Sequence, residues 1–214
     1  MKNRRLFPVL VLSLLLACAP AFADSITYSA SFGPTTTNFS TPIMLPQFNP
    51  SMGTLTSITF TLDGQTIGSA TVTNNSGATG DYLVAIFTDL TLLDPSNNTL
   101  ASISPSFIQK LTIADGASGT ASGTSLSSTD SATITSGFSP YVGSGDVTLT
   151  VTGVGFAAAN GPTPYSVNST TSGQGTISVT YNSTSVVPEP ATLALFGSGL
   201  LALGLLYQRR REHS

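Results

Sequence analysis

Thr56-Ser57-Ile58-Thr59-Phe60-Thr61-Leu62-Asp63-Gly64 is the stretch on which the fold class of this chain turns. Ile58, Phe60 and Leu62 alternate with Thr59 and Thr61, so one face is apolar and the other carries hydroxyls. That period of two belongs to a half-buried β-strand, because successive side chains leave opposite faces. Asp63-Gly64 is a strong tight-turn pair. It predicts a hairpin in which Ser69–Thr73 returns as the partner strand.

The same alternation recurs on both sides. Ile26, Tyr28, Ala30 and Phe32 alternate with Ser25, Thr27, Ser29 and Ser31. Tyr82–Leu93 is apolar on both faces in part, which predicts a central, well-covered strand. Asp94-Pro95-Ser96-Asn97-Asn98 ends it with turn chemistry. Further strands are expected at Thr99–Ile103, Phe107–Ile113, Ala132–Thr135, Val147–Val154 and Thr176–Tyr181. No long stretch of the body has capped helical periodicity. About nine short strands with frequent Gly, Pro, Asn and Ser turns predict a single all-β domain, a β-sandwich or jelly roll. Gly116–Ser128 is expected to be a long exposed loop and Ala157–Pro164 a shorter one.

The chain is 40% hydrophobic and 8% charged, against about 25% charged in ordinary soluble domains. Its basic residues sit at the ends: Lys2, Arg4 and Arg5, then Arg209, Arg210 and Arg211. Between them only Lys110 faces Asp24, Asp63, Asp81, Asp89, Asp94, Asp115, Asp130 and Asp146. An acidic body without a basic patch argues against nucleic-acid binding.

Met1–Arg5 is positively charged, Leu6–Leu16 is apolar, and Ala21-Phe22-Ala23 offers small residues at the two positions signal peptidase reads, Ala21 and Ala23. These three parts in order are a secretory signal. Residues 1–23 are therefore expected to be removed, which makes Asp24 the new N-terminus. Leu15-Leu16-Ala17-Cys18 offers a second reading, in which Cys18 is lipidated instead. Arg4-Arg5 also permits a twin-arginine route, which the very apolar core does not favour.

The C-terminal end reads as Pro188-Glu189-Pro190, an uncharged stretch Ala191–Tyr207, and Gln208 followed by Arg209-Arg210-Arg211. Residues 191–207 as a helix would reach about 26 Å, close to the roughly 30 Å hydrocarbon core of a membrane. The three arginines act as a stop-transfer cluster and stay in the cytoplasm. The prolines keep the preceding segment from joining the helix. The expected organisation is a signal peptide at 1–23, an extracytoplasmic all-β domain at 24–182, a linker at 183–187 and a sorting segment at 188–211.

Val187-Pro188-Glu189-Pro190-Ala191-Thr192, the Leu/Gly/Ala-rich Leu193–Leu206 and Arg209-Arg210-Arg211, in that order, resemble the PEP-CTERM sorting signal. The resemblance implies an exosortase partner in the inner membrane that cuts near Pro188-Glu189-Pro190. It also implies a Gram-negative host that makes exopolysaccharide or biofilm matrix. The mature protein is then expected at the cell surface or in that matrix. The body resembles the choice-of-anchor E domain family through Leu45-Pro46-Gln47-Phe48-Asn49-Pro50-Ser51-Met52-Gly53-Thr54-Leu55 and the closing strand Ile177-Ser178-Val179-Thr180-Tyr181. That resemblance implies a surface β domain and no catalytic residues. Phe48 and Leu55 are expected to be core plugs.

The body has no His, Cys or Glu; His213 follows the apolar stretch. Ser-His-Asp and Cys-His catalysis and a His/Cys zinc site are thereby excluded from it. Lys110 is expected to be solvated. An aspartate pair of glycosidase type is weighed against the missing tryptophan and against turn positions for Asp63, Asp94 and Asp115. No catalytic, cofactor or metal residue is assigned. A structural calcium held by oxygen ligands from separate turns is possible in principle. Ice binding would need threonines at a fixed period, and Thr35-Thr36-Thr37, Thr71-Val72-Thr73 and Thr148-Leu149-Thr150 have none. The expected function is a non-enzymatic structural or adhesive protein of the surface or matrix; the alternative is a module that binds extracellular carbohydrate or protein.

Overall fold

The computed structural model describes residues 23–184, 197–200, 204 and 208. By compactness the chain divides into a large unit, residues 25–51 and 55–183, and a small one made of the two ends with residues 52–54. The large unit is the body, and it is all-β as expected. Ten strands run in the order β1 (Ala23–Thr36), β2 (Phe39–Pro46), β3 (Thr54–Asn74), β4 (Gly80–Leu93), β5 (Thr99–Ile103), β6 (Ser106–Ile113), β7 (Ser118–Thr124), β8 (Ser128–Ile134), β9 (Asp146–Asn160) and β10 (Tyr165–Thr184). They form two five-stranded sheets. One has the order β1-β10-β3, with the far edge of β3 shared by β8 and β7. The other has the order β2-β9-β4, with the far edge of β4 shared by β6 and β5. A sandwich of two antiparallel sheets is the layer architecture that such alternation dictates.

The predicted hairpin at Asp63-Gly64 does not form. β3 runs straight through it, and Ile58, Phe60, Leu62, Ala70 and Val72 are all fully buried. The reason lies in parity. In a two-residue hairpin around 63–64, partner numbers add to a constant odd sum, so inward residues must change from even to odd. Here the apolar positions stay even on both sides, which only one continuous strand allows. Asp63 faces outward and accepts hydrogen bonds from the hydroxyls of Ser127 at 2.5 Å and Thr129 at 2.6 Å. Gly64 faces inward, where a Cβ would lie 2.6 Å from Leu90 Cδ1. It marks a close approach of the two sheets rather than a turn.

Gly116–Ser128 is not a loop either. Ser118–Thr124 is an edge strand paired to Ile67–Thr73 of β3. Its small residues suit that place: a Cβ on Gly119 would lie 3.0 Å from Ile113 Cδ1. Ala157–Asn160 extends β9, so the expected loop shrinks to residues 161–164. β10 continues to Thr184, two residues into the expected linker. β2 was not expected at all; its Pro42 and Pro46 mask the strand pattern, and it lies at a sheet edge, where proline is tolerated.

The core has two parts along the long strands. The larger gathers Ile58, Phe60, Leu62, Leu90, Leu149 and Tyr181 with others; the smaller gathers Ala70, Val72, Tyr82, Val84, Ile86 and Ile113. Phe48 is buried in the larger, its ring 5.8 Å from that of Tyr181, and Leu55 packs against it from a half-buried position. Thr66 lies between the two parts. Its N–H donates to Ser125 Oγ at 2.9 Å and its hydroxyl to the Pro105 carbonyl at 2.6 Å. Asn74 closes the smaller core. Its amide donates to the carbonyls of Ala78 and Ile113, both at 2.8 Å, and its oxygen accepts from the Tyr82 hydroxyl at 2.7 Å. Every polar atom of that buried amide is thus partnered, as burial requires.

Candidate functional site

The outer face of the β1-β10-β3-β8 sheet is built almost wholly of hydroxyls. Thr27 and Thr180 hydrogen-bond at 2.8 Å, and Ser31 and Thr176 at 3.3 Å, which sets the antiparallel register of β1 on β10. Gln174 donates to Gln65 and Asn182 to Ser57, both at 3.0 Å, which sets β10 on β3. Thr59 opposes Thr133, Thr61 opposes Ser131 and Asp63 opposes Thr129 across β3 and β8. The registers align three rows of four: Thr27, Thr180, Thr59, Thr133; then Ser29, Ser178, Thr61, Ser131; then Ser31, Thr176, Asp63, Thr129. Sheet geometry puts neighbours in a row about 4.8 Å apart and successive rows about 6.8 Å apart. Beyond the third row Ser31, Asp63, Gln65, Gln174 and Thr176 line a shallow depression of about 300 Å³.

Several hydroxyl pairs close on each other, such as Thr59 with Thr133 at 2.9 Å and Thr71 with Thr120 at 3.0 Å. Such cross-strand pairs stabilise a sheet modestly. The face can offer hydroxyls and methyls to a flat polar partner. It has few groups that can take up or release a proton near neutral pH.

Six of the eight aspartates of the body, Asp63, Asp81, Asp89, Asp94, Asp115 and Asp130, are occupied by local structure. Asp94 Oδ1 accepts the N–H groups of Ser96 and Asn98, both at 2.8 Å, in the expected turn. Burial raises its pKa, but the hydrogen bonds from Asn98 and Ser96 outweigh that and hold it below its usual 3.8. Asp81 is also held low, first by its hydrogen bond from Lys110 and then by that from Thr112. Lys110 Nζ lies 2.7 Å from Asp81 on the exposed surface, so this lysine is solvated and paired. Asp89 accepts from Ser104 at 2.5 Å, and Asp115 accepts from the Gly77 N–H at 2.9 Å. Among the described residues no three His, Cys, Asp or Glu side chains gather as a metal site would require. Burial pushes the phenols of Tyr141 and Tyr181 up to about 12.

The other sheet differs. Its central strand β4 was expected to be covered on both faces, yet Leu83 is 50% exposed. On the same outer face Ile108 is 63%, Val154 52% and Phe156 45% exposed. Phe87 lies against Phe156. Apolar residues on both faces of a strand therefore do not by themselves mean cover on both faces.

Of the processing residues, Ala23 is the first residue of β1. Ala21, Pro188, Glu189, Pro190, Arg209, Arg210 and Arg211 lie outside the described residues. Residues 197–200, 204 and 208, within or just after the expected span 191–207, are helical. Among the described residues no helix is long and apolar enough to cross a membrane.

No curated protein matches the chain. Solved structures resemble it loosely. The infectious bursal disease virus Gx strain structure is 10% identical with a TM-score of 0.18, over 79% of this chain and 37% of the viral one. Dimeric latent PorU from Porphyromonas gingivalis is 10% identical with a TM-score of 0.28, over 81% of this chain and 14% of that one. The CBM2 module of the evolved Dit of Lactobacillus casei BL23 phage J-1 is 12% identical with a TM-score of 0.22, over 69% and 71%. The fold therefore stands on its own strand pairing. At the C-terminal end the likeness is specific, and it begins two residues after β10 ends: residues 186–211 are a PEP-CTERM protein-sorting motif, which makes this chain an exported protein that is anchored at the membrane, processed by an exosortase and sorted to the cell surface.

Proposed function

We propose that the chain is a structural or adhesive protein of the surface or extracellular matrix of a Gram-negative bacterium, with no enzymatic activity and no cofactor. The observation that carries the reading is the position of the sorting motif. It starts at residue 186, and the last strand ends at Thr184. A cut near Pro188-Glu189-Pro190 thus releases every strand of the sandwich and leaves the apolar stretch and its arginines behind. The signal peptide at 1–23 and signal peptidase complete the same route. Most of the aspartates serve turns and strand pairs, and the body has no His, Cys or Glu to work with them, which supports a non-catalytic role. Fractionating the native host tests this. The body should be recovered outside the cells, and in a strain without its exosortase it should stay with the membrane. Body found in the cytosol would overturn the reading.

The rows of hydroxyls favour a second reading, a module for matrix polysaccharide. Flat hydroxyl and methyl arrays suit an extended sugar chain, although the absence of tryptophan removes the strongest stacking group. Retention of the exported protein on the host's own polysaccharide, lost when Thr180 and Ser178 are both replaced by lysine, would support it. Equal retention of both forms would rule out that face as the binding surface.

A further inference from the structure

Among the described residues, two strand edges on one side of the sandwich are open. β2 pairs with β9 only between Asp146 and Gly153. From Val154 to Asn160, β9 pairs with β4 alone among the described residues. β1 ends at Thr36, and the next residue, Thr37, donates its N–H to the Thr171 carbonyl at 3.0 Å, so Tyr165–Thr170 of β10 has no β1 partner. An open edge offers unpaired N–H and C=O groups to another strand, and proteins blunt such edges with proline, charge, bulges or cover.

The other edges are blunted in that way. β1 carries Pro34, and β2 carries Pro42 and Pro46. On the opposite side the two sheets close on each other: the Ser122 N–H donates to Gln109 at 3.2 Å and the Ser102 N–H to Asp130 at 2.9 Å. Val154-Gly155-Phe156-Ala157-Ala158-Ala159-Asn160 has no charge and no proline, and no residue from Val147 to Pro188 is charged. Over much of its surface this acidic body repels a second copy of itself. Along this side two copies meet without bringing like charges together.

We propose that two copies of the chain pair antiparallel along Val154–Asn160, which carries the β2-β9-β4 sheet across a two-fold axis near Ala157. That register places Phe156 of each copy opposite Ala158 of the other, large against small. It also brings the exposed Val154 and Phe156 of the two copies onto one shared face. The Tyr165 hydroxyl donates to the Ala159 carbonyl at 2.5 Å; a carbonyl keeps a second lone pair for the partner's N–H.

The test is sedimentation of the full chain in mild detergent, alone and as Ala158→Lys. Ala158 is exposed, so the lysine leaves the fold intact, which an unchanged melting temperature checks. The wild type should sediment as a dimer, and Ala158→Lys should raise the dissociation constant at least about tenfold. Thr133→Lys on the other sheet should not change it. A wild type that remains monomeric at about 100 μM overturns the proposal. So does a dimer that Ala158→Lys leaves unchanged, because another surface then holds it.

Discussion

Phe60→Ala should lower the free energy of unfolding by about 3–5 kcal/mol, measured by urea denaturation of the full chain in mild detergent. Phe60 is fully buried in the larger core, with its ring 5.2 Å from that of Tyr141. The loss has two parts: the apolar transfer energy of the ring, and the cavity it leaves. The cavity part is large here because both walls are sheets. β3 is held by β10 on one side and by β7 and β8 on the other, so it cannot shift inward without breaking ladder hydrogen bonds. Domains of this size are stable by only about 5–15 kcal/mol, so the variant should lie near the limit of folding. Thr59→Ala, one residue away on the hydroxyl face, should cost less than about 1 kcal/mol. Equal losses at 59 and 60 would show that the two faces of β3 have been assigned wrongly.

The alternation that exposed β3 in the sequence also found β1, though it stopped four residues short of Thr36, because a buried face and a hydroxyl face write a period of two directly into the chain; β5 and β6 lie within one residue of their expected bounds. The turn at Asp94 was equally legible, since an aspartate that accepts two backbone N–H groups is local chemistry. The misread turn at Asp63-Gly64 and the misread loop at Gly116–Ser128 share one cause. Asp63-Gly64 and Gly119 are residues of turns or loops by composition, yet at Gly64 and Gly119 small size answers a neighbouring strand or sheet that comes too close for a side chain. Such a neighbour is distant in sequence, so propensity is silent about it; the unchanged parity across 63–64 was the available signal. The hydroxyl rows were visible as separate strands and became a face only when register aligned Thr27, Thr180, Thr59 and Thr133. The sorting motif was the opposite case, because its parts are contiguous and need no fold to be recognised.

Replacing Pro188, Glu189 and Pro190 together by alanine should leave almost all of the protein with the membrane. Proline suits neither a helix interior nor a strand interior, and on the proposed function these three side chains are what the exosortase recognises. Three alanines remove the recognised side chains and favour helix over residues 188–190. The sandwich ends before the change, so its melting temperature should be that of the parent. A variant exported and released like the parent would show that processing does not depend on these residues.

Mass spectrometry of the C-terminus of the exported protein, recovered from its native host, tests the central claim most directly. The chain should end at or near Pro188-Glu189-Pro190, with Ala191–Ser214 gone. Exported protein that still carries Arg209-Arg210-Arg211 in exosortase-positive cells would contradict it.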